Sequence, residues 1–568
     1  MKKLLLYKLA AILLLTACTD LDIDPTSSVG TGNFFQTQKD LEIAVNDLYQ
    51  SFLFKIDNDE WGDDHFLRGS LTTPITNSTI NSETNFVNFY WKDLYKGISR
   101  STTLLESMSG AEENTSPEVF SRVEGEARCL RAWFYSILIS HYGDVVFYDK
   151  TISLSNAYTI PRTNKSEILA FIYDEFDAAA SLLPASYATN EVKRVSKGTA
   201  LGLKARIALY MGDYTTAKAA SQAVMELGVH SLYRTGGAFA YRNLFLKPGE
   251  TSSEIIFSSP NSIANNSTYT NNANTRNFIS RLGGGFGAWI PAWSAVDIYE
   301  CTDGLPIDES PLYDPHDPFS NRDPRLTMNI VEFGTPWLGF TYQPHPDSVK
   351  VFSQKLGKQV NNNDNRAVAQ FASYTGFLWK KRVDQDWSDN LLSENANIVL
   401  RYADVLLMYA ESKIETNDID ASVLEAINDV RSRAYGVDIS STGAYPEITT
   451  TDQAALRKIL RRERRVELML EGLRYMDLIR WGLANKALNV EVPGLNQPAS
   501  IDRTQWPFND VILPDIDDDG VILYENIITA GYARKLTDYL WDPNKQNLWP
   551  VPAAERVLNS ELGQNTGY

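Results

Sequence analysis

The chain is predicted to be mainly α, a scaffold of paired helices carrying a loop-rich, irregular part. Three observations predict this. Apolar residues recur at helical spacing through the N-terminal region. Two stretches, Lys197 to Leu227 and Arg401 to Ala434, each read as two helices meeting through small residues across a short turn. Between them, residues 246–397 are rich in Asn, Ser, Gly, Pro and aromatics, with short β-like runs such as "EIIFSS".

Taken in order, the chain opens with Lys2 and Lys3, then a mostly apolar run from Leu4 to Leu15 interrupted by Lys8. That is about half of the ~20 apolar residues a membrane-spanning helix needs, so residues 1–17 read as a secretory signal peptide. The end of the run, "LTAC", resembles a bacterial lipobox, which implies that Cys18 is lipidated and becomes the first residue of the mature protein. Acyl chains contribute about 0.8 kcal/mol per buried CH₂, so two or more anchor a protein stably to a bilayer. Asp20, Asp22 and Asp24 follow at alternate positions. No later run approaches membrane-spanning length, and 43% hydrophobic with 11% aromatic residues is a globular composition.

Asp40 to Phe54 places Leu41, Ala44, Val45, Leu48 and Phe52 on one stripe, and Glu118 to Tyr142 does the same through Val123, Ala127, Leu130, Phe134, Ile137 and Leu138. Ser166 is expected to N-cap a further helix that ends before Pro184. In Lys197 to Leu227, Ala200, Ala205 and Ala208 face Ala217 and Val224 across "GDY", which looks like a tetratricopeptide repeat without its usual Trp and Pro. Ala410, Ala426 and Val430 take similar places in the second pair. Such pairs bury their faces only by stacking, so several are expected to share one core.

The net charge of −18 argues against a nucleic-acid partner, which needs a clustered basic face. In "RRERR" (Arg461 to Arg465) the basic residues alternate with Glu and read as a salt-bridged helix face. Five scattered histidines show no zinc-ligand spacing. Cys129 and Cys301 do not make a disulfide scaffold, and Cys129, inside a helical pattern, reads as a buried free thiol. Asp515, Asp517 and Asp519 before Gly520 resemble the opening of a calcium loop, so a structural calcium is considered. Asn526, however, stands where the bidentate Glu belongs.

Ten segments in order then resemble one family. They are "LDIDP", "FFQTQKDLEIAVNDLYQSF", "WKDLYKGISRSTTLLESM", "EGEARCLRAWFYSILISHYGDVV", "RVSKGTALGLKARIALYMGDYTTA", "YECTDGLPI", "NRDPRLTMNIV", "RYADVLLMYAES", "RRERRVELMLEGLRYMDLIRWG" and "LWPVPAAERVLNSELGQNTGY". By these the chain is identified as resembling the SusD/RagB outer-membrane lipoproteins of Bacteroidetes. The resemblance implies about four tetratricopeptide-like helix pairs cradling a less regular part. It divides the chain into the signal peptide (1–17), an N-terminal helical region (18–235) and a C-terminal region with a loop-rich insert and closing repeats (236–568). It further implies an oligosaccharide-capturing protein on the outer face of the outer membrane, working with a SusC-like, TonB-dependent transporter. No catalysis and no cofactor are implied. Some members take peptides or other nutrients. A glycoside hydrolase and a purely structural docking protein are the rival classes.

A sugar presents an apolar C–H face and a rim of hydroxyls, so aromatic side chains in polar loops are the expected contacts. Hydroxyl recognition depends on pairing, because a buried unpaired group costs about 1–3 kcal/mol. Three clusters qualify: Trp61, Asp63, Asp64 and His65 in "DNDEWGDDHF"; Phe286, Trp289 and Trp293 in "GGGFGAWIPAW"; and Trp337 with Tyr342 in "FGTPWLGFTYQPHP". Trp91, Trp133 and Trp481 lie on helical apolar faces and read as core. Glu126 with Arg128 or Arg131 reads as ion-paired scaffold, and Arg322, Asp323 and Arg325 read as tying a loop down.

Overall fold

In a computed structural model the described residues are 34–50, 54, 57–187, 194–262 and 272–568. Cys18 and the aspartates after it lie outside them. The main helices are α1 (Gln38–Asp47), α2 (Asn85–Ser107), α3 (Pro117–Tyr142), α4 (Lys165–Leu182), α5 (Lys197–Tyr210), α6 (Tyr214–Glu226), α7 (Asn272–Phe278), α8 (Tyr402–Glu415), α9 (Ala421–Ala434), α10 (Gln453–Glu467) and α11 (Arg474–Arg480). None of the described helices is long and apolar enough to cross a membrane.

Local chemistry sets the helix boundaries. Thr37 and Asp40 form a reciprocal capping box that starts α1. The helix stops at Asp47, short of the expected Phe54, and Tyr49 turns inward to donate its hydroxyl to Glu126 at 2.7 Å. Ser116 caps α3 ahead of Pro117. The cap of α4 is Asn164 rather than Ser166: Asn164 Oδ1 accepts the Ser166 N–H at 2.9 Å.

The helices form a continuous row. The helix α3 packs on α2 and α4, α5 joins α4 to α6, α6 packs on α8, and α8 packs on α9 and α10. Both helix pairs expected from sequence lie in this row. In the first, Asp213 caps α6 beside Gly212 at φ 76°, which a side chain rarely adopts. Gly97 lets α2 approach α3, because a Cβ there would sit 2.6 Å from the Phe134 ring. The small residues Ala403, Ala410 and Ala426 interdigitate with Leu407, Val423 and Leu460 in the core of α8, α9 and α10.

The strands are short and carry the irregular part: β1 (His65–Leu67), β2 (Ile255–Ser259), β3 (Trp289–Pro291), β4 (Thr335–Trp337), β5 (Phe340–Tyr342), β6 (Lys350–Ser353), β7 (Lys358–Asn361), β8 (Asn397–Arg401), β9 (Glu491–Gly494), β10 (Asp515–Ile516), β11 (Ile522–Leu523) and β12 (Arg534–Asp538). These strands pair antiparallel: β1 with β3, β2 with β8, β9 with β12, β10 with β11, and β4 to β7 as a four-stranded meander.

A buried ion-pair network locks this part to the helical row. Arg401, at the end of β8, meets Glu254 (2.9 Å), Glu467 (2.6 Å) and Glu471 (2.8 Å). Arg433 of α9 bonds Glu254 and Glu467, and Arg325 reaches Asp323, Glu463 and Glu467. The "RRERR" charges therefore do not pair along one helix face. They reach other elements: Arg464 to Asp404 and Asp477, Arg465 to Asp63 and Asp64, Arg462 to Glu300, and Arg461 to Asp519. Buried charges persist only when paired in this way. Arg128 and Arg131 share Glu175, and Glu126 holds Arg122 and Arg194, as scaffold ion pairs. Cys129 and Cys301 are buried free thiols.

Candidate functional site

Most of the aromatic residues singled out in the sequence are interior plugs. Trp61 is 2% exposed, its ring wedged among Phe86, Tyr90, Tyr475 and Trp549. Asp63 pairs with Arg474 at 2.7 Å and Asp64 with Arg465 at 2.6 Å, fastening this loop to α10 and α11. Trp293 is buried, with its indole N–H donating to the Thr375 carbonyl at 3.0 Å. Trp337 is 8% exposed beneath the Arg242 guanidinium, and Tyr342 is buried with its hydroxyl on the Gly376 carbonyl at 2.6 Å. These residues are not open to a ligand. Alternating polar and aromatic text looks the same whether the ring faces out or pins the loop down. Trp91 and Trp133 are core as expected, whereas Trp481 is half-buried under Arg461 and Arg480.

Two of the expected residues do meet at an opening. The paired strands β1 and β3 bring His65 and Trp289 to the wall of a cavity of about 400 Å³, together with Asp59, Glu60, Arg382 and Asn397. His65 stacks on Trp379 and accepts that indole's N–H on Nδ1 at 3.0 Å. Burial pushes its imidazole down to about 3, so the ring is neutral. With Nδ1 accepting, Nε2 carries the proton, and this buried donor has no partner among the described residues. Burial also pushes Asp59 up to about 6 and Glu60 up to about 7.

At the far end of β1 lies an exposed aromatic face. Phe286 is 41% exposed and Phe371 is 48% exposed, with the half-buried Tyr374 three residues beyond Phe371. The glycines of "GGGFG" explain the presentation of Phe286. A Cβ on Gly285 would lie 2.3 Å from the Ile279 carbonyl, and Gly284 takes φ 94°. The loop is tied back by hydrogen bonds from Phe286 N–H to Arg276 O (2.6 Å), Gly287 N–H to Ile279 O (2.8 Å) and Ala288 N–H to Asn277 O (2.8 Å). Arg68, one residue past β1, donates to the Phe286 carbonyl at 2.9 Å. Its guanidinium lies 5.5 Å from the Phe371 centroid and 5.8 Å from that of Tyr374. Arg366 and Arg534 also lie on Tyr374, at 4.9 and 5.4 Å, and Arg276 lies on Phe286 at 5.8 Å. Phe371, Tyr374 and the arginines were not legible as a site. Only Phe286, beside its glycines, carried a signal.

The acidic turn is a small hairpin of β10 and β11. Lys486 bonds Asp517 at 3.0 Å and also Asp519, which Arg461 meets at 2.8 Å, while Asp515 sits in β10. No cluster of three or more His, Cys, Asp or Glu side chains fit for a metal occurs among the described residues. The turn borders a second cavity of about 530 Å³, in whose lining Lys486 pairs with Asp517, and Glu491 and Asp538 pair with Lys535.

Comparison with known proteins then decides the family. The model of the SusD family matches residues 253–568, more than half of the chain. The chain belongs to the SusD family. A second family model, described as starch-binding and associating with the outer membrane, matches residues 27–209. SusD-like protein P25 of Formosa agariphila is 25% identical over 492 residues, covering 82% of this chain and 86% of that one. A SusD-like carbohydrate-binding protein of Bacteroides fragilis has a solved structure with TM-score 0.76 and 28% identity, covering 93% of this chain and 100% of that one. A laminarin-binding SusD-like protein shares the fold at TM-score 0.61 and 18% identity, with 94% and 100% covered. In this SusD-family chain the irregular loops on the helical row are thus the natural place for a site.

Proposed function

We propose that this protein captures oligosaccharides at the cell surface and hands them to a SusC-like, TonB-dependent transporter of the outer membrane. Cys18 carries the lipid that tethers it there, with the capture face toward the exterior. The observation that carries this reading is the exposed pair Phe286 and Phe371 with Tyr374, held on braced loops and ringed by guanidinium groups. Flat rings cover the C–H faces of sugars, and the arginine N–H groups meet their oxygens. The carbohydrate-binding relative from Bacteroides fragilis supports the same reading. The chemistry is binding, not bond cleavage.

Calorimetry against a panel of oligosaccharides and short peptides tests it. Saturable binding of an oligosaccharide, weakened about tenfold or more by Phe286→Ala with Phe371→Ala, is expected. Binding of peptides alone would move the function to peptide capture.

A further inference from the structure

The capture face is basic in a chain whose net charge is −18. Elsewhere several buried arginines pair with carboxylates: Arg325, Arg401, Arg431, Arg433, Arg464 and Arg465 each bond at least one, while Arg322 and Arg242 spend their donors on backbone carbonyls. On the capture face, Arg68, Arg276, Arg366 and Arg534 gather around three exposed or half-buried rings, and Arg281 lies near Arg68. None of the five makes an ion pair with a carboxylate among the described residues. Arg68 spends its donors on the carbonyls of Phe286 and Gly287, and Arg366 on Leu495 and Gln497. The carboxylate facing this group is Asp364, which is buried and accepts the backbone N–H groups of Arg281 and Leu282.

Five cations gathered around one buried carboxylate, with no ion pair among the described residues, oppose one another. Burial, and then the neighbouring Arg534, push Arg366 down to about 10, and burial with nearby Arg281 lowers Arg68. A neutral sugar relieves none of this and needs no such cluster. An anion does. A guanidinium stacked on an aromatic ring keeps its in-plane N–H donors for a partner beyond the ring edge, and its fork matches carboxylate or sulfate.

Resting on the capture reading above, we infer that the ligand is an acidic oligosaccharide, bearing uronate carboxylates or sulfate esters, read by Arg68, Arg276, Arg281, Arg366 and Arg534 around the Phe286, Phe371 and Tyr374 rings. The rings take the sugar faces and the arginines the anionic groups.

The test is calorimetry on the full mature chain with short oligogalacturonides, sulfated carrageenan oligosaccharides, neutral malto- and laminari-oligosaccharides, and an oligoglutamate peptide. Titrations run at about 50 mM and about 500 mM NaCl, which shortens the screening length roughly threefold. One acidic glycan is expected to bind at least about tenfold more tightly than the neutral ones, and to weaken at high salt. Whether galacturonide or carrageenan binds tells carboxylate from sulfate. Arg534→Gln and Arg276→Gln should each weaken acidic binding several-fold, while Arg534→Lys, which keeps the charge, retains most of it. Neutral glycans binding as well as acidic ones, without salt dependence, overturn this inference and leave the capture reading standing. Oligoglutamate binding in place of any glycan, or no binding by the folded protein, overturns both.

Discussion

Phe286 and Trp61 show what a single residue's surroundings decide. Both sit in polar, glycine-bearing text, yet one ring faces water and the other fills the core beside Trp549. The difference is legible only in part. The glycines flanking Phe286 are visible in the sequence, but only the fold shows a backbone too crowded for a Cβ at Gly285. Nothing near Trp61 revealed that Tyr475 and Trp549, from the far end of the chain, close over it. The two residues should therefore respond oppositely to truncation. Trp61→Ala should lower stability by about 3–5 kcal/mol, read by denaturant unfolding. Phe286→Ala should change stability by less than about 0.5 kcal/mol, because the ring is on the surface, while lowering glycan affinity in calorimetry.

Among the elements, α10 shows how charge can serve a core. "RRERRVE" reads as a solvated, self-paired face, because the spacing suits pairing along one helix. The packing of α8, α9 and β8 around it was invisible locally, and it buries Glu463, Arg464, Arg465 and Glu467. Glu467 accepts from Arg325, Arg401 and Arg433. Removing its charge takes one counter-charge from three buried cations, which keep Asp323, Glu463, Glu254 and Glu471, so Glu467→Gln should destabilise by about 3 kcal/mol, seen as a lowered chemical denaturation midpoint. The "GGGFG" loop gives a milder element-level outcome. Gly285→Ala forces the loop off the Ile279 carbonyl, and this should cost about 1–3 kcal/mol. Glycan affinity should fall with it, since Phe286 moves. The helix pairs were readable from their alanines and turns. The cap at Asn164 and the early end of α1 were not, because hydrogen bonds compete at the scale of single residues.

The whole molecule carries two sets of shifted carboxyls with opposite consequences for pH. Burial raises Asp63, but Arg465 and Arg474 more than reverse it and hold it at about 2; Glu467, Glu471 and Asp404 are likewise held low by their arginines. A folded pKa below the unfolded one contributes stability above about pH 4 that is lost as the pH falls toward 2. Burial raises Asp59, Asp297 and Asp364 to about 6 and Glu60 to about 7. A raised carboxyl pKa contributes stability that is fully present below about pH 4 and is lost as the pH climbs from there through the folded values of about 6 and 7. The melting temperature should therefore peak near about pH 4 to 5 and decline on both sides. A maximum above pH 8 in scanning calorimetry would contradict that assignment. At this scale the sequence conveyed most: a mainly α scaffold and its family were evident from ordered motifs along the whole chain. The capture face was not, because its arginines come from positions 68, 276, 281, 366 and 534, which only the folded loops bring together. The proposed function requires above all that a glycan lie on this face. A crystal structure of the protein with a bound oligosaccharide tests that most directly. Sugar rings are expected in contact with Phe286 and Phe371 at about 4 Å, with guanidinium groups on their oxygens. A glycan seated elsewhere, such as the cavity walled by Trp289 and His65, with Phe286 and Phe371 bare, would contradict it.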